Sequence, residues 1–423
     1  MRFILLIIIF VSCGVLAQME SDTDGEMESV GNVATEKHVV NLATNISSAF
    51  SSDVPAGSSQ SLLPHLQCIF KNIGIDYSVQ VMPWRRAYQD VKSNRIDGFF
   101  TAVPMRQVDP YAVLSSPLIL ENWYWFWRVD TIAPESWREG YRLGSILGSQ
   151  QETWLGEMGY KVDMSANNLP QLIKLLQSKR IDVLLADREN FIQAAKELKM
   201  DANNLQSRFF RYVPLGVYFN EQFLNQNPNF LAQFNQQITS CTTVRFAVSD
   251  YERQQIKELL VRKIERWKRL PKLETLLKER NLVTRRFTKQ EIAERDKKWR
   301  EAFAKDDFSY SIDLVNQELS AHLREIKKQS QDMITEIIIA DARGLNFAIS
   351  DMTSDYWQGD EEKFTEVFSK PATTMHFGEI SYDESSKRFQ LHLSVPLYTE
   401  ENFEPLGVMV FGVDVEKVLS QAQ

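Results

Sequence analysis

The residues able to do covalent or metal chemistry are few and badly spaced for it. Five histidines stand at His38, His65, His322, His376 and His392, with no metal-ligand spacing. His376 and His392 could face each other across two strands, a structural arrangement rather than a metal site. There is no Gly-x-Ser-x-Gly elbow, no phosphate-cradling glycine loop and no cysteine placed as a nucleophile. No metal, cofactor or catalytic residue is therefore expected, and the chemistry left is recognition by charged and aromatic side chains at element ends. Net charge is −8 and 43% of residues are hydrophobic, so nothing global points to nucleic acid.

The cysteines carry the next reading. Residues 1–17 (MRFILLIIIFVSCGVLA) have one Arg, an apolar run and small residues before a cleavage site, a leader too short for a usual membrane span. Cys13 raises a lipoprotein alternative, but Phe10-Val11-Ser12 before it matches poorly. With the leader removed, Cys68 and Cys241 remain, and export makes them a candidate disulfide rather than two buried thiols. Closing a loop of about 170 residues, it would contribute roughly 4–5 kcal/mol in the chain-entropy model. The expected location is the periplasm.

The elements that would position a site follow. Residues 18–36 read as a mobile acidic arm. In PWRRAYQDVKSNRIDGFF, Pro83 opens a helix whose apolar face is Trp84, Ala87, Tyr88 and Val91, and Ile96-Asp97-Gly98 leads into a buried strand. SKRIDVLLAD repeats the Ser-x-Arg-Ile-Asp step, which suggests two similar α/β lobes over 37–245. Ligands in such sheets sit outside the carboxyl ends of the strands. Residues 246–305 read as a charged helical linker: 251–300 hold 17 Lys/Arg against 8 Asp/Glu, +9, leaving −17 for the rest of the chain. That excess could meet an acidic partner or anionic lipid, or be a solvated helix face. Thr288-Lys-Gln-Glu291 looks like a capping box. Ile312, Val315, Leu319, Leu323 and Ile326 make one helical stripe, and an antiparallel sheet is expected to follow within 306–423.

Residues 37–245 resemble the family 3 periplasmic solute-binding proteins, the amino-acid-type receptors of ABC transporters. PWRRAYQDVKSNRIDGFF, PMRQVDPYAVLSSPL, YRLGSILGSQQETWL and IDVLLAD carry the resemblance by their order. It implies a two-lobed fold closing over a small polar solute, amino-acid-like or a small carboxylate. Arg106 would pair with a ligand carboxylate, Ser149 and Gln150 would help hold it, and Asp187 would receive an ammonium. Trp84, Trp123 and Trp125 would wall the cleft. The plain alternatives are a surface ion pair for Arg106 and a turn cap for Asp187. Thr101-Ala-Val-Pro-Met105 stands where the family has a Ser/Thr doublet, a departure that bears on an α-amino-acid ligand.

Residues 306–423 resemble the extracytoplasmic Cache/PDC sensor domains, an α+β, PAS-like fold, through ADARGLNFAISDMTSDYWQGDEEKF, LHLSVPLY and PLGVMVFGVDVEKV. The resemblance implies a small ligand on the sheet under a loop, with Arg343, Asp355, Tyr356, Trp357, Asp360 and Asp414 as candidates. Tyr356 and Trp357 as core plugs and Asp414 as a helix cap are the alternatives. Some family 3 receptors are fused to a lytic transglycosylase, but the C-terminal part here reads as sheet, so no enzyme is expected. The whole reads as a sensory binding protein signalling to a membrane partner such as a sensor kinase or a cyclic-dinucleotide enzyme. An uptake receptor serving an ABC permease, or a ligand-free envelope scaffold, are the alternatives.

Overall fold

The computed structural model describes residues 39–45, 62–135, 137–200, 204–241, 246–383 and 388–421; the expected leader and acidic arm lie outside them. The first part runs β1 (Val40–Thr44), α1 (Leu62–Ile73), β2 (Tyr77–Val81), α2 (Trp84–Lys92), β3 (Gly98–Ala102), β4 (Ala112–Leu114) and β5 (Ile119–Arg128). It continues with β6 (Leu143–Ile146), α3 (Gln150–Glu157), β7 (Met164–Ala166), α4 (Leu169–Gln177), β8 (Val183–Asp187), α5 (Arg188–Glu197), β9 (Leu205–Asn220), α6 (Glu221–Gln226) and α7 (Phe230–Cys241). Five further helices follow: α8 (Asp250–Trp267), α9 (Leu273–Thr284), α10 (Lys289–Phe303), α11 (Ser309–Leu314) and α12 (Gln317–Gln329). The last part is β10 (Ile334–Asp341), β11 (Asn346–Ile349), α13 (Glu362–Thr365), β12 (His376–Phe377), β13 (Ser381–Asp383), β14 (Arg388–Tyr398), β15 (Pro405–Asp414) and α14 (Val415–Gln421).

The nine strands up to β9 form one mixed sheet, ordered β2-β1-β3-β9-β5-β8-β6-β7, with β4 also on β9. Strands β1, β2 and β3 are parallel to one another, as are β6, β7 and β8. The 16-residue β9 joins the two parallel groups. Its C-terminal end pairs antiparallel with β3 and β4, and Leu205–Leu215 pairs with β5.

The Ser-x-Arg-Ile-Asp repeat turns out to be a device that binds each helix exit to a parallel neighbour. Asn94 and Lys179 take left-handed backbone at φ 57° and 58°, ending α2 and α4 alike. Ile96 and Ile181 then drop into the core. Asp97 Oδ2 accepts from the Asn41 N–H at 2.8 Å, and Asp182 Oδ2 from the Arg142 N–H at 2.9 Å. Gly98 is needed where β3 enters, because a Cβ there would stand 2.4 Å from the Tyr218 carbonyl oxygen. One charged residue of the polar face goes inward: Asp90 is buried, paired with Arg86 at 3.4 Å and Arg95 at 3.3 Å.

The second sheet is antiparallel, β11-β10-β15-β14-β12 with β13 on β14. The expected single stripe before it is broken. Asn316 caps a new helix by accepting from the Leu319 N–H at 2.9 Å, so Leu319, Leu323 and Ile326 are buried while Ile312 on α11 is exposed. The expected facing of His376 and His392 is also offset: His376 lies opposite Ser394, and His392 Nε2 meets Glu336 Oε1 at 2.9 Å.

Residues 246–305 are no mere linker. Ile256, Leu260 and Ile264 of α8 are each 0% exposed. They belong to one apolar core that also holds Tyr212 of β9, Phe411 of β15 and Val418 of α14. Charges cover the outside of α8, and its period-3.6 apolar stripe does the packing. Helix α14 packs on α8, β9 and β14, so the two sheets share a core, and Val39–Gln423 is a single unit. Cys68 on α1 and Cys241 on α7 form the expected disulfide, with Cα atoms 5.6 Å apart.

Candidate functional site

The carboxyl ends of β6 and β8, adjacent parallel strands, bring Ser149, Gln150 and Asp187 to one edge. Gly148, at φ 71°, lets the chain turn from β6 into α3. Ser149 caps α3, its Oγ accepting from the Glu152 N–H at 3.1 Å. Glu152 reaches back to the Gly148 N–H at 2.6 Å and takes the Ser165 hydroxyl at 2.7 Å. The Ser149 N–H donates to the Ile146 carbonyl at 3.0 Å. The Ser149 N–H is thus committed to the turn. The groups left for a ligand are the Ser149 hydroxyl proton, the Gln150 N–H in the first turn of α3 and the Gln150 side chain. Gln150 is buried, and its Oε1 has no donor.

Asp187 ends β8 and caps α5, accepting the Asn190 N–H at 2.9 Å and the Asn122 N–H at 3.2 Å. Burial pushes its carboxyl well above the usual carboxylate range, and the neighbouring Glu121 adds to the push. Asn122 ties this edge to two other elements. Its side-chain amide donates to Glu252 Oε1 of α8 at 2.9 Å, and the Tyr124 hydroxyl donates to the same oxygen at 3.3 Å. Asn122 lies opposite Tyr212 in β9, whose N–H donates to Glu416 Oε1 of α14 at 2.6 Å. Asn122 and Glu416 carry no motif; Glu252 is signalled by the Ser249-Asp-Tyr-Glu252 capping box that opens α8 and by its place on the inward stripe of that helix.

Arg106 follows β3 on an exposed turn, away from any ion pair among the described residues, so its surface-pair alternative finds no partner. The Tyr218 hydroxyl staples that turn, accepting the Met105 N–H at 2.8 Å and donating to Asp109 at 2.6 Å. The three tryptophans, by contrast, are buried in the core: Trp84 is 5%, Trp123 0% and Trp125 4% exposed. Strand β5 runs inside the sheet between β8 and β9, with both faces covered, so alternate residues fill opposite cores. Trp123 and Trp125 enter one core, and Tyr124 and Phe126 the other.

In the C-terminal part, Asp355, Tyr356, Trp357 and Asp360 do share a loop, which α10 clamps. Asp296 Oδ1 accepts the Tyr356 N–H at 2.9 Å and the Trp357 N–H at 3.1 Å, while Arg300 holds Oδ2. Tyr356 is fully buried, stacks on Trp299 with centroids 5.3 Å apart, and receives Arg280 on its hydroxyl. It is a core plug. Arg280 also pairs with the buried Asp341 at 3.2 Å. Burial raises the Asp341 carboxyl while Arg280 opposes the rise. The Asp355 carboxylate accepts from Gln358 Nε2 at 2.7 Å. Arg343 presents its carbonyl to Trp357 Nε1 at 2.9 Å, and its guanidinium leans to the Arg285 carbonyl.

Trp357 and Asp360 line an open cleft of about 530 Å³ whose other wall is α10, through Ala293, Asp296, Lys297, Arg300, Glu301 and Ala304. Those α10 residues had no motif; Ile292, Asp296 and Trp299 at helical spacing were the available trace of an inward face. Asp414 is not brought to this loop. It caps α14, accepting the Lys417 N–H at 2.9 Å, at the opposite end of β15 from the β10–β11 turn. Among the described residues no cluster of three or more His, Cys, Asp or Glu could hold a metal, and no helix is long and apolar enough to cross a membrane.

No protein-family model and no curated protein sequence matches the chain. Among solved structures it is similar to a histidine kinase sensor domain with similarity to periplasmic binding proteins, at 14% identity over 48% of this chain and 89% of that one, TM-score 0.39. It is similar to the GluR0 ligand-binding core from Nostoc punctiforme in complex with L-glutamate, at 16% identity over 48% and 91%, TM-score 0.39. It is also similar to the arginine-, lysine-, histidine-binding protein ArtJ from Geobacillus stearothermophilus, at 15% identity over 48% and 89%, TM-score 0.38.

Proposed function

We propose that the chain is an exported sensory binding protein. Its nine-stranded sheet acts as two lobes joined by β9, which close over a small polar solute bearing a carboxylate and a cationic group. The chain signals in the periplasm to a membrane partner. The observation that carries this reading is the carboxyl edge of β6 and β8. There a buried Gln150 oxygen without a donor and a buried Asp187 beside an acidic neighbour share one strand edge. The Gln150 oxygen calls for a donor from outside the chain, because a buried unpaired polar atom costs about 1–3 kcal/mol, and Asp187, already holding two N–H groups, is a carboxyl whose burial a ligand cation would offset. Arg106, at the exit of β3 and free of a carboxylate, supplies the complementary charge for a ligand anion.

The antiparallel sheet after α12 supports the Cache-like reading of the C-terminal part. Its shared core with α8 and β9 gives the two parts a mechanical connection. That connection is why signalling is preferred to simple delivery.

The test is thermal denaturation of the full chain against amino acids, polyamines and small organic acids. A ligand at 100 times its Kd adds about 2.7 kcal/mol. Arg106→Ala should then weaken binding of the stabilising carboxylate by roughly 2–5 kcal/mol, and Asp187→Asn should weaken binding of its cationic end. Unchanged affinity in both variants would overturn the site.

A further inference from the structure

The turn between α9 and α10 carries an exposed apolar pair followed directly by exposed cations. Leu282 is 53% and Val283 55% exposed at the end of α9, whose Leu273, Leu277 and Thr284 face inward. Arg285, Arg286 and Lys289 follow at once, all exposed. Arg343 brings its guanidinium to the Arg285 carbonyl, and Arg295 lies 4.5 Å from the Phe287 ring. None of these five cations forms an ion pair among the described residues. An exposed Glu279 stands one helical turn before the apolar pair, and the first carboxylate after the turn, Glu291, is turned back onto the Thr288 N–H at 2.7 Å and the Thr288 hydroxyl at 2.9 Å.

We infer that this turn is a docking surface for an anionic lipid bilayer: Leu282 and Val283 enter the headgroup boundary while Arg285, Arg286 and Lys289 meet lipid phosphates. Two adjacent aliphatics with cations directly beside them fit an interface that is apolar below and anionic at its surface. Folding does not account for them, since the inward face of α9 is complete without them. The remainder of the chain carries −17 against the +9 of residues 251–300. A bilayer of negative surface charge therefore repels the body and attracts this segment, which orients the molecule with the turn toward the lipid. An acidic protein would use the cations but gain little from Leu282 and Val283. This inference does not depend on the solute site, whose residues lie on other elements.

The test is sedimentation of the chain lacking residues 1–17, whose apolar run would enter a bilayer by itself, with vesicles of phosphatidylglycerol and phosphatidylcholine. The expected result is binding to phosphatidylglycerol-rich vesicles, little binding to pure phosphatidylcholine, and weakening as salt rises. Arg285→Glu/Arg286→Glu should lower the partition coefficient at least tenfold, and Leu282→Ser/Val283→Ser at least threefold. All four positions are exposed, and unchanged melting curves verify the fold of the variants. Failure of the parent chain to bind anionic vesicles, or equal binding by the Arg variants, overturns the proposal. Binding that ignores the Leu282/Val283 change and is matched by polyglutamate in solution also overturns it, in favour of an acidic protein partner.

Discussion

Removing the carboxylate of Glu252 tests whether α8 is part of the fold or a tether between two folds. Glu252 is 1% exposed and its carboxylate accepts four hydrogen bonds. Oε1 accepts from the Asn122 amide and the Tyr124 hydroxyl at 2.9 and 3.3 Å, and Oε2 accepts from the Ser249 N–H and hydroxyl, both at 2.9 Å. In Glu252→Ala the two buried donors on β5 lose their acceptor at about 1–3 kcal/mol each, and half of the capping box costs roughly 1 kcal/mol more. The sum is about 3–7 kcal/mol, a large part of the roughly 5–15 kcal/mol that holds a domain together. At about 2 °C per kcal/mol for a chain of this size, Tm should fall by about 6–14 °C. Glu252→Gln keeps one oxygen for Asn122 and Tyr124 but turns an NH₂ toward the Ser249 N–H, so about half the loss is expected. Circular dichroism melting of the full chain reads the shift, and a shared core further requires one cooperative transition. A drop below 2 °C in the Ala variant, or two separate transitions in the parent, would refute the argument and restore α8 to a linker.

Two other outcomes follow from the structure. The Cys68–Cys241 bridge spans a sequence separation of 173, so its loss should cost about 5 kcal/mol in the chain-entropy model. Urea midpoints of Cys68→Ser/Cys241→Ser against the parent measure it, and coincident midpoints would show that the bridge does not form. At Glu336, burial raises the carboxyl, but the His392 hydrogen bond together with the charges of His392, Lys363 and Lys327 outweighs it, so the folded group titrates below its ordinary value of 4.5. A depressed acid contributes stability above its unfolded pKa and loses it as pH falls through the folded one. Glu336→Gln should therefore lower Tm at pH 7, with the gap to the parent closing as pH drops below about 4.5. A gap that persists at pH 3 would assign the effect to packing.

What the sequence made legible was whatever repeats locally. Helix α2 and the strand after it follow from Trp84, Ala87 and Val91 at helical spacing, and the capping box at Thr288 opens α10 as its spacing requires. The disulfide followed from counting cysteines in a chain whose first residues read as an export leader. The Ser-x-Arg-Ile-Asp steps were visible as a repeat, but their reason was not, because the N–H groups that Asp97 and Asp182 receive come from strands 56 and 40 residues away. Long-range partners defeat reading by pattern in the same way elsewhere. The charge of α8 dominates its composition, yet three residues per stripe decide where it packs, and that choice is made by β9, β15 and α14, which are distant in sequence. Trp123 and Trp125 look like ligand stackers in a short window. They become core because the sheet face they point to is covered, with Trp154 against Trp123 and Tyr160 and Phe210 against Trp125. The sensor-domain resemblance groups Asp414, at the end of the last strand, with the loop at Asp355, but pattern does not say which end of the sheet that strand end occupies. The register Asp341 to Gly407 and Ile334 to Val413 settles that and separates them. Asp296 had the weakest trace of all: a carboxylate on a basic helix reads as surface, and it is buried because two backbone N–H groups of a loop 60 residues on need an acceptor there.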